Sequence, residues 1–335
     1  MAKVLILSSA IDVPFDVWKH SSSFLLKHSA ELDSFGQHCL TDDPAEADII
    51  LFAEMGSCGK FSEVVRAHPF YRRFREKCFL FDSTDYCRPT VPGIYASLTQ
   101  DQYRPDYTRT GFYLYLIENA FITPRPYTGS EKYLASFVGS AHTHPVREKL
   151  FEFGRDDVYV KDTSGYSAQT TYHGEPAERA RFWEEYAESI ADAKFSLCPR
   201  GSGAGSIRLF ESMKMGRACV ILSDEWHPND GVNWNSFSIT VAERDASRIP
   251  EILDRNAHRA AEMGARARQV WEEQFSEQSR FHRTVEQCLE LRSRGSNGTW
   301  SRRLRVLRQI TNPKNLRWYL SSKKDLYRNT GKIYW

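Results

Sequence analysis

Short apolar runs that alternate with stretches of helical period constrain this chain most. The first half carries "KVLILSS" (3–9), "EADIILFAE" (46–54), "CFLFDSTD" (78–85) and "VPGIYASL" (91–98). Each is too short for a core helix and shows no polar alternation, which fits strands covered on both faces. Between them lie a Pro14-started helical stretch to about His28 and "FSEVVRAHPFYRRFREK" (61–77). Strands alternating with helices predict βαβ units and a largely parallel sheet. Pro105, Pro124, Pro126 and Gly129 interrupt the rhythm across 99–130, which marks a junction.

The rhythm then restarts with "YLASFVGS" (133–140), a helical "HPVREKLFEF", "DVYVKD", and a long helix from Pro176. "KFSLCPRG", a helix over 207–215, "ACVILSD" and "SFSITVAE" follow, and 245–291 is mostly helical. A length of 335 residues suits two domains. The boundaries predicted are 1–128 and 129–295 for two Rossmann-like α/β domains, with a tail at 296–335.

The net charge of +2 hides an uneven distribution. Residues 299–335 hold ten Lys/Arg against the single acid Asp325, so the rest of the chain is net acidic. This tail also carries Trp300, Trp318, Tyr319, Tyr327, Tyr334 and Trp335. Basic plus aromatic suits an anionic membrane surface or a nucleic acid. A helix that packs its aromatics on the body is the third reading. The seven cysteines are scattered, with no CxxC, so neither a disulfide framework nor a zinc site is expected. "MAKVLILSSA" reads as a first strand, its apolar core too short for a signal peptide. These features point to a reducing cytoplasm.

The chemistry concentrates in "FSLCPRGSGAGSIRLFESMKMGRACVILSD" (195–224). Ser206 fits a helix N-cap before Ile207, Leu209, Phe210 and Met213, and Gly216 fits the helix end. The free N–H groups of such a terminus bind anions. A first turn normally prefers Asp or Glu, yet here it holds Arg208, with Arg200 on the loop leading in. Two cations against the positive end of a helix make sense when a ligand supplies the negative charge. Glu211, three residues after Arg208, is placed to accept from ribose hydroxyls. No Lys-Ser/Thr follows the glycines, which excludes a Walker A loop. Gly201-x-Gly203 followed by Ser206 is an imperfect dinucleotide fingerprint, although Asp224 ends the next strand at a suitable distance.

This segment resembles the C-terminal half of the exostosin-like glycosyltransferases, the inverting family 47. That family shows a Pro-Arg-Gly-like turn, a Ser-x-Arg-apolar-x-Glu helix start, and a Cys-Val-Ile strand ending near a Trp. "GVNWNSFSITVAERD" (231–245), "ASFVGSAHTHPVREKL" and "LTDDPAEADIILFAE" are similar to further family segments, so the likeness spreads over about 40–245. It implies a GT-B fold, two facing Rossmann-like domains with a cleft between them. It also implies inverting transfer from a nucleotide-sugar, here a UDP-sugar, to a glycan acceptor, with no metal ion or other cofactor. By carry-over, Arg200 and Arg208 hold the diphosphate, and the loop Gly201, Gly205 and Ser206 lies against it. Glu211 binds the ribose, Arg147 faces the phosphates from the other side, and Asp224 and Glu225 meet the donor sugar.

In-line displacement needs a base for the acceptor hydroxyl and cations for the leaving diphosphate. Asp12, Asp16, Glu54, Asp82 and Asp85 are candidates for the base, and Glu54 is preferred because it directly follows a fully apolar strand. His142 and His144 read as loop residues. Animal members of the family are Golgi enzymes with an N-terminal anchor, and no such run opens this sequence. The expected setting is therefore bacterial surface polysaccharide or lipopolysaccharide synthesis at the inner face of a membrane, with the tail docked on it. Two other classes remain: an NAD-dependent oxidoreductase, and a non-enzymatic nucleic-acid binder acting through the tail. The family resemblance makes a nucleic-acid partner unexpected.

Overall fold

In this computed structural model, the structure describes residues 1–9, 17–56, 58–114, 118–165, 175–295 and 299–332. In chain order the first part contains β1 (Ala2–Leu7), α1 (Val17–Glu31), β2 (His38–Leu40) and β3 (Ile49–Glu54). Two short helices follow, α2 (Glu63–Ala67) and α3 (Pro69–Arg73), then β4 (Cys78–Asp82), β5 (Gly93–Tyr95) and β6 (Thr108–Thr110). Next come β7 (Tyr133–Gly139), α4 (Pro145–Glu148), β8 (Val158–Asp162), α5 (Pro176–Ala191) and β9 (Ala193–Pro199). They are followed by α6 (Ile207–Met215), β10 (Ala218–Leu222), β11 (Ser238–Thr240), α7 (Ile249–Asn256) and α8 (Ala260–Gln274). The chain closes with α9 (Arg280–Ser293), α10 (Thr299–Thr311) and α11 (Pro313–Thr330).

These elements form two units, one of residues 1–116 with 276–335 and the other of 117–275. The sequence sets its junctions at 128/129 and 295/296; the contacts divide at 116/117 and 275/276. Helix α9 reads from the sequence as part of the second domain, but it packs in the first unit. Its Phe281, Val285, Cys288 and Leu291, spaced on one helix face, are all buried there.

The first unit is built on a six-stranded sheet ordered β2-β1-β3-β4-β5-β6, with parallel pairing throughout. The order reverses beside β1, so the sheet is doubly wound and its strands end on one edge. Every residue of β3 and β4 is buried, as a parallel sheet covered on both faces requires. Ile50, Phe52, Leu80 and Tyr95 centre the core of this unit. The three-residue β2 and β6 carry no periodic signal that the sequence pattern can register. The helical stretch expected over 61–77 breaks at His68, whose extended backbone (φ −61°, ψ 138°) precedes Pro69. A residue before proline is pushed out of the helical region, which accounts for the break.

The second unit holds a five-stranded parallel sheet, β11-β10-β9-β7-β8. Its core joins Ala135 and Phe137 of β7, Phe195 and Leu197 of β9, and Val220 and Leu222 of β10 to Leu253 and Met263. Both Rossmann-like α/β units of the expected architecture are thus present. Asp12 and Asp16 lie outside the described residues.

Candidate nucleotide site

Strand β9 delivers the chain to a tight loop, and α6 leaves it. The helix begins at Ile207 and ends at Gly216, whose φ of 82° closes it in the left-handed conformation that glycine allows. Ser206 takes the extended N-cap backbone, but its hydroxyl caps no helix N–H. The first-turn amides are therefore not satisfied by that side chain.

Arg208 turns under the sheet, 5% exposed. Its Nε donates to Ser196 Oγ at 3.0 Å and its Nη2 to Ser136 Oγ at 3.0 Å. The guanidinium also stands over the Tyr186 ring, 5.0 Å from its centroid. Its Nη1 is buried with no hydrogen-bond partner. Among the described residues no carboxylate comes within ion-pair distance of it. A buried cation without an anion is costly, and here it sits in the first turn of an uncapped helix. Glu211, one turn on, accepts from the Tyr186 hydroxyl at 2.5 Å. Burial, reinforced by the Glu211 charge, holds that phenol well above its ordinary range, so it stays a donor.

Arg147 projects from the short helix α4 onto backbone. Its Nε donates to the Arg200 carbonyl at 2.8 Å and its Nη1 to the Ser140 carbonyl at 3.2 Å. A Cβ on Gly201 would lie 2.9 Å from Arg147 Nη2, so the glycine makes room for this guanidinium. Arg147 thus fixes the shape of the Pro199-Arg200-Gly201 turn through its carbonyls.

Arg200 faces a cluster of carboxylates. Its Nη1 is 2.7 Å from Glu225 and 3.8 Å from Glu243, and its Nε is buried without a hydrogen-bond partner. Asp224 and Glu243 lock together, each carboxylate accepting from the other's backbone N–H at 3.1 and 3.0 Å. The Asp224 carboxylate, which an NAD reading assigns to ribose, is therefore engaged with backbone. Glu243 follows β11 and lies 4.0 Å from His144 Nε2. Burial, with Arg200 beside it, keeps His144 below its ordinary value. As a neutral ring His144 caps α4, accepting from the Val146 N–H at 3.3 Å.

The structure thus brings Arg147, Arg200, Gly201, Gly205, Ser206, Arg208, Glu211, Asp224 and Glu225 onto the segments that directly follow β7, β9 and β10 of one sheet. Sequence reasoning missed Glu243, Tyr186, Ser136 and Ser196. The two serines were visible as polar residues inside apolar strands, and Glu243 as an acid just past a strand end.

Glu54 lies in the other unit, at the end of β3 and in register with Asp82 at the end of β4. It is fully buried and accepts from the Ser9 N–H at 2.5 Å and the Ser8 hydroxyl at 3.4 Å. Burial pushes the Asp82 carboxyl up to about 6. Asp85 is exposed and accepts from the Tyr113 hydroxyl at 2.9 Å.

A protein-family model described as the Exostosin GT47 domain matches residues 118–255, within the second unit. The chain is 33% identical over 154 residues to an exostosin-1 homolog of Caenorhabditis elegans, covering 42% of this chain and 40% of that protein. It is 34% identical over 119 residues to a probable glucuronoxylan glucuronosyltransferase IRX7 of Arabidopsis thaliana, covering 31% and 26%. It therefore spans well under half the length of these relatives. Among solved structures it is similar to TarM, with a TM-score of 0.41 and 12% identity, covering 81% of this chain and 58% of that one. The matched residues 118–255 include the Arg208 helix, so this part of the chain is similar to the Exostosin GT47 domain.

Proposed function

We propose that this chain transfers a sugar, with inversion, from a UDP-sugar to a glycan acceptor, without a metal ion. The observation that carries the reading is Arg208: a buried guanidinium with an unpaired Nη1 and no carboxylate partner among the described residues. A diphosphate at the N-terminus of α6 supplies the missing anion. Glu211 accepts from the ribose, and Arg147 and Arg200 shape the turn that the phosphates approach. As the acceptor hydroxyl attacks the anomeric carbon, negative charge grows on the leaving diphosphate, and the helix end and Arg208 stabilise it. The base this reading assigns is Glu54, which ends β3 of the first unit. A thermal-shift screen over UDP, GDP, CMP and NAD tests the reading. UDP should raise the melting temperature; indifference to every nucleoside diphosphate would count against the donor site, and a response to NAD alone would favour the oxidoreductase.

The acceptor in this reading is a bacterial surface polysaccharide or lipopolysaccharide precursor held on a membrane, with the enzyme peripheral at the cytoplasmic face. The last two helices support it. Helix α11 packs one face on its unit: Asn315, Ser322 and Leu326 are buried, and Tyr319 meets Phe61 edge-on at 5.4 Å. Its outer face exposes Leu316, Leu320 and Tyr327 among Arg317, Lys324 and Arg328, and α10 exposes Leu304 and Leu307 beside Arg303 and Arg308. Apolar residues rimmed by cations suit an anionic bilayer. No helix of the described residues is long and apolar enough to cross a membrane. Co-sedimentation with phosphatidylglycerol vesicles should be lost when Arg303, Arg308, Arg317, Lys324 and Arg328 become Glu; retention would overturn the docking role.

A further inference from the structure

A second cluster lies in the first unit, which contains none of the nucleotide-site residues. His38 opens the edge strand β2, and His282 and Glu286 stand one turn apart on α9. One ligand atom from each lies within 4.8 Å of the other two. His38 Nε2 is 3.0 Å from Glu286 Oε1, yet it makes no hydrogen bond. His282, 5% exposed, has its Nδ1 buried with no partner either. The two rings sit 5.1 Å apart, and Phe35 stacks on His282 at 4.0 Å and fixes its plane.

One buried imidazole nitrogen with no partner, beside a second that meets the Glu286 carboxylate without a hydrogen bond, is costly. A shared cation satisfies both, and Glu286 adds the negative charge. We propose that His38, His282 and Glu286 form a divalent metal site of the zinc type, tying edge strand β2 to helix α9. Two imidazoles and one carboxylate suit zinc or a similar borderline metal, whereas magnesium and calcium prefer all-oxygen sets. Tetrahedral binding brings ligand atoms to roughly 3.4 Å from one another. Glu286, half exposed and 3.0 Å from His38 Nε2, is free to rotate into that geometry. The competing contact, the Ala2 N–H to His38 Nδ1 at 3.4 Å, is long and cheap to give up. The fourth position opens to a cavity of about 540 Å³ lined by Met1, Asp48 and Arg292 together with His38 and Glu286. The site clamps the segment returning from the second unit and takes no part in sugar transfer, so it stands whether or not the donor reading holds.

The test uses the full chain without an affinity tag, stripped with chelator and dialysed. Zinc is titrated by calorimetry, and cobalt by its visible absorption. One zinc per chain should bind, the cobalt adduct should show tetrahedral bands, and zinc should raise the melting temperature. His282→Gln and Glu286→Gln should each weaken binding by about tenfold or more, since losing merely a group that hydrogen-bonds a metal ligand costs about that much. Glu286 is half exposed, so E286Q folds and decides the matter if H282Q does not. No saturable binding to the folded chain would overturn the site, as would wild-type affinity in E286Q.

Discussion

Arg208 shows how one residue can be placed by the sequence and yet do something the sequence does not reveal. Its position in the first turn of a helix was legible from Ser206, the apolar spacing and Gly216. Its direction was not: the guanidinium turns inward, onto Ser136 and Ser196 from two different strands. Those contacts span 12 and 72 residues, and no local pattern encodes them. Arg200 and Glu225 reverse the case, since the sequence assigned them separately to donor groups and the structure pairs them at 2.7 Å. Glu225→Gln should therefore free Arg200 and tighten UDP binding about two- to tenfold, read by calorimetry; weaker binding would mean that Glu225 itself meets the donor. Asp82 gives a prediction in pH. Its carboxyl, pushed up to about 6 by burial, titrates above the unfolded value of about 3.9. The folded state holds the proton between these values, so stability falls as pH rises from about 4 to about 6 and stays lowered above, by roughly 3 kcal/mol. Asp82→Asn keeps an acceptor for the Thr84 N–H. In urea melts it should be more stable than wild type by about 1–3 kcal/mol at pH 7.5, the gain vanishing below about pH 4.

At the scale of elements, the strand–loop–helix from β9 to α6 followed the sequence closely because each part has a local cause. Apolar residues specify the buried strand, glycines the turn, and Gly216 the end. The edge strands β2 and β6 escaped because three residues carry no period. Close packing around α6 also lies beyond sequence pattern. A Cβ on Gly264 in α8 would come 2.5 Å from the Gly216 carbonyl, so backbone meets backbone with no side chain to move aside. Gly264→Ala should cost about 1–3 kcal/mol, measured by denaturant unfolding. An unchanged midpoint would mean that α8 shifts at no cost.

At the scale of the whole molecule, the alternation of strands and helices announced two parallel α/β units, and both are there. What the sequence could not announce is that the chain returns. Helix α9 resembles its neighbours in composition, and only long-range burial of Phe281, Val285, Cys288 and Leu291 assigns it to the first unit. The Arg109–Glu290 ion pair at 3.2 Å and Arg280 donating to Ser29 at 2.5 Å join the same unit across long sequence separations. A chain ending at 275 should accordingly lose the cooperative unfolding of the first unit, seen by circular dichroism. An unchanged melt would contradict the division. The tail, open between a membrane, a nucleic acid and packing in the sequence, does pack: one face of α11 is buried on its unit, and the other presents Leu316, Leu320 and Tyr327 outward.

The measurement that bears most directly on the central claim is calorimetric titration of UDP into the wild-type chain and into Arg208→Gln, with folding of both checked by circular dichroism. The account predicts saturable, one-site binding that weakens by about tenfold or more in the variant, the usual scale for a lost charge-assisted hydrogen bond. Absence of UDP binding in the folded wild type, or equal affinity in the variant, would contradict it.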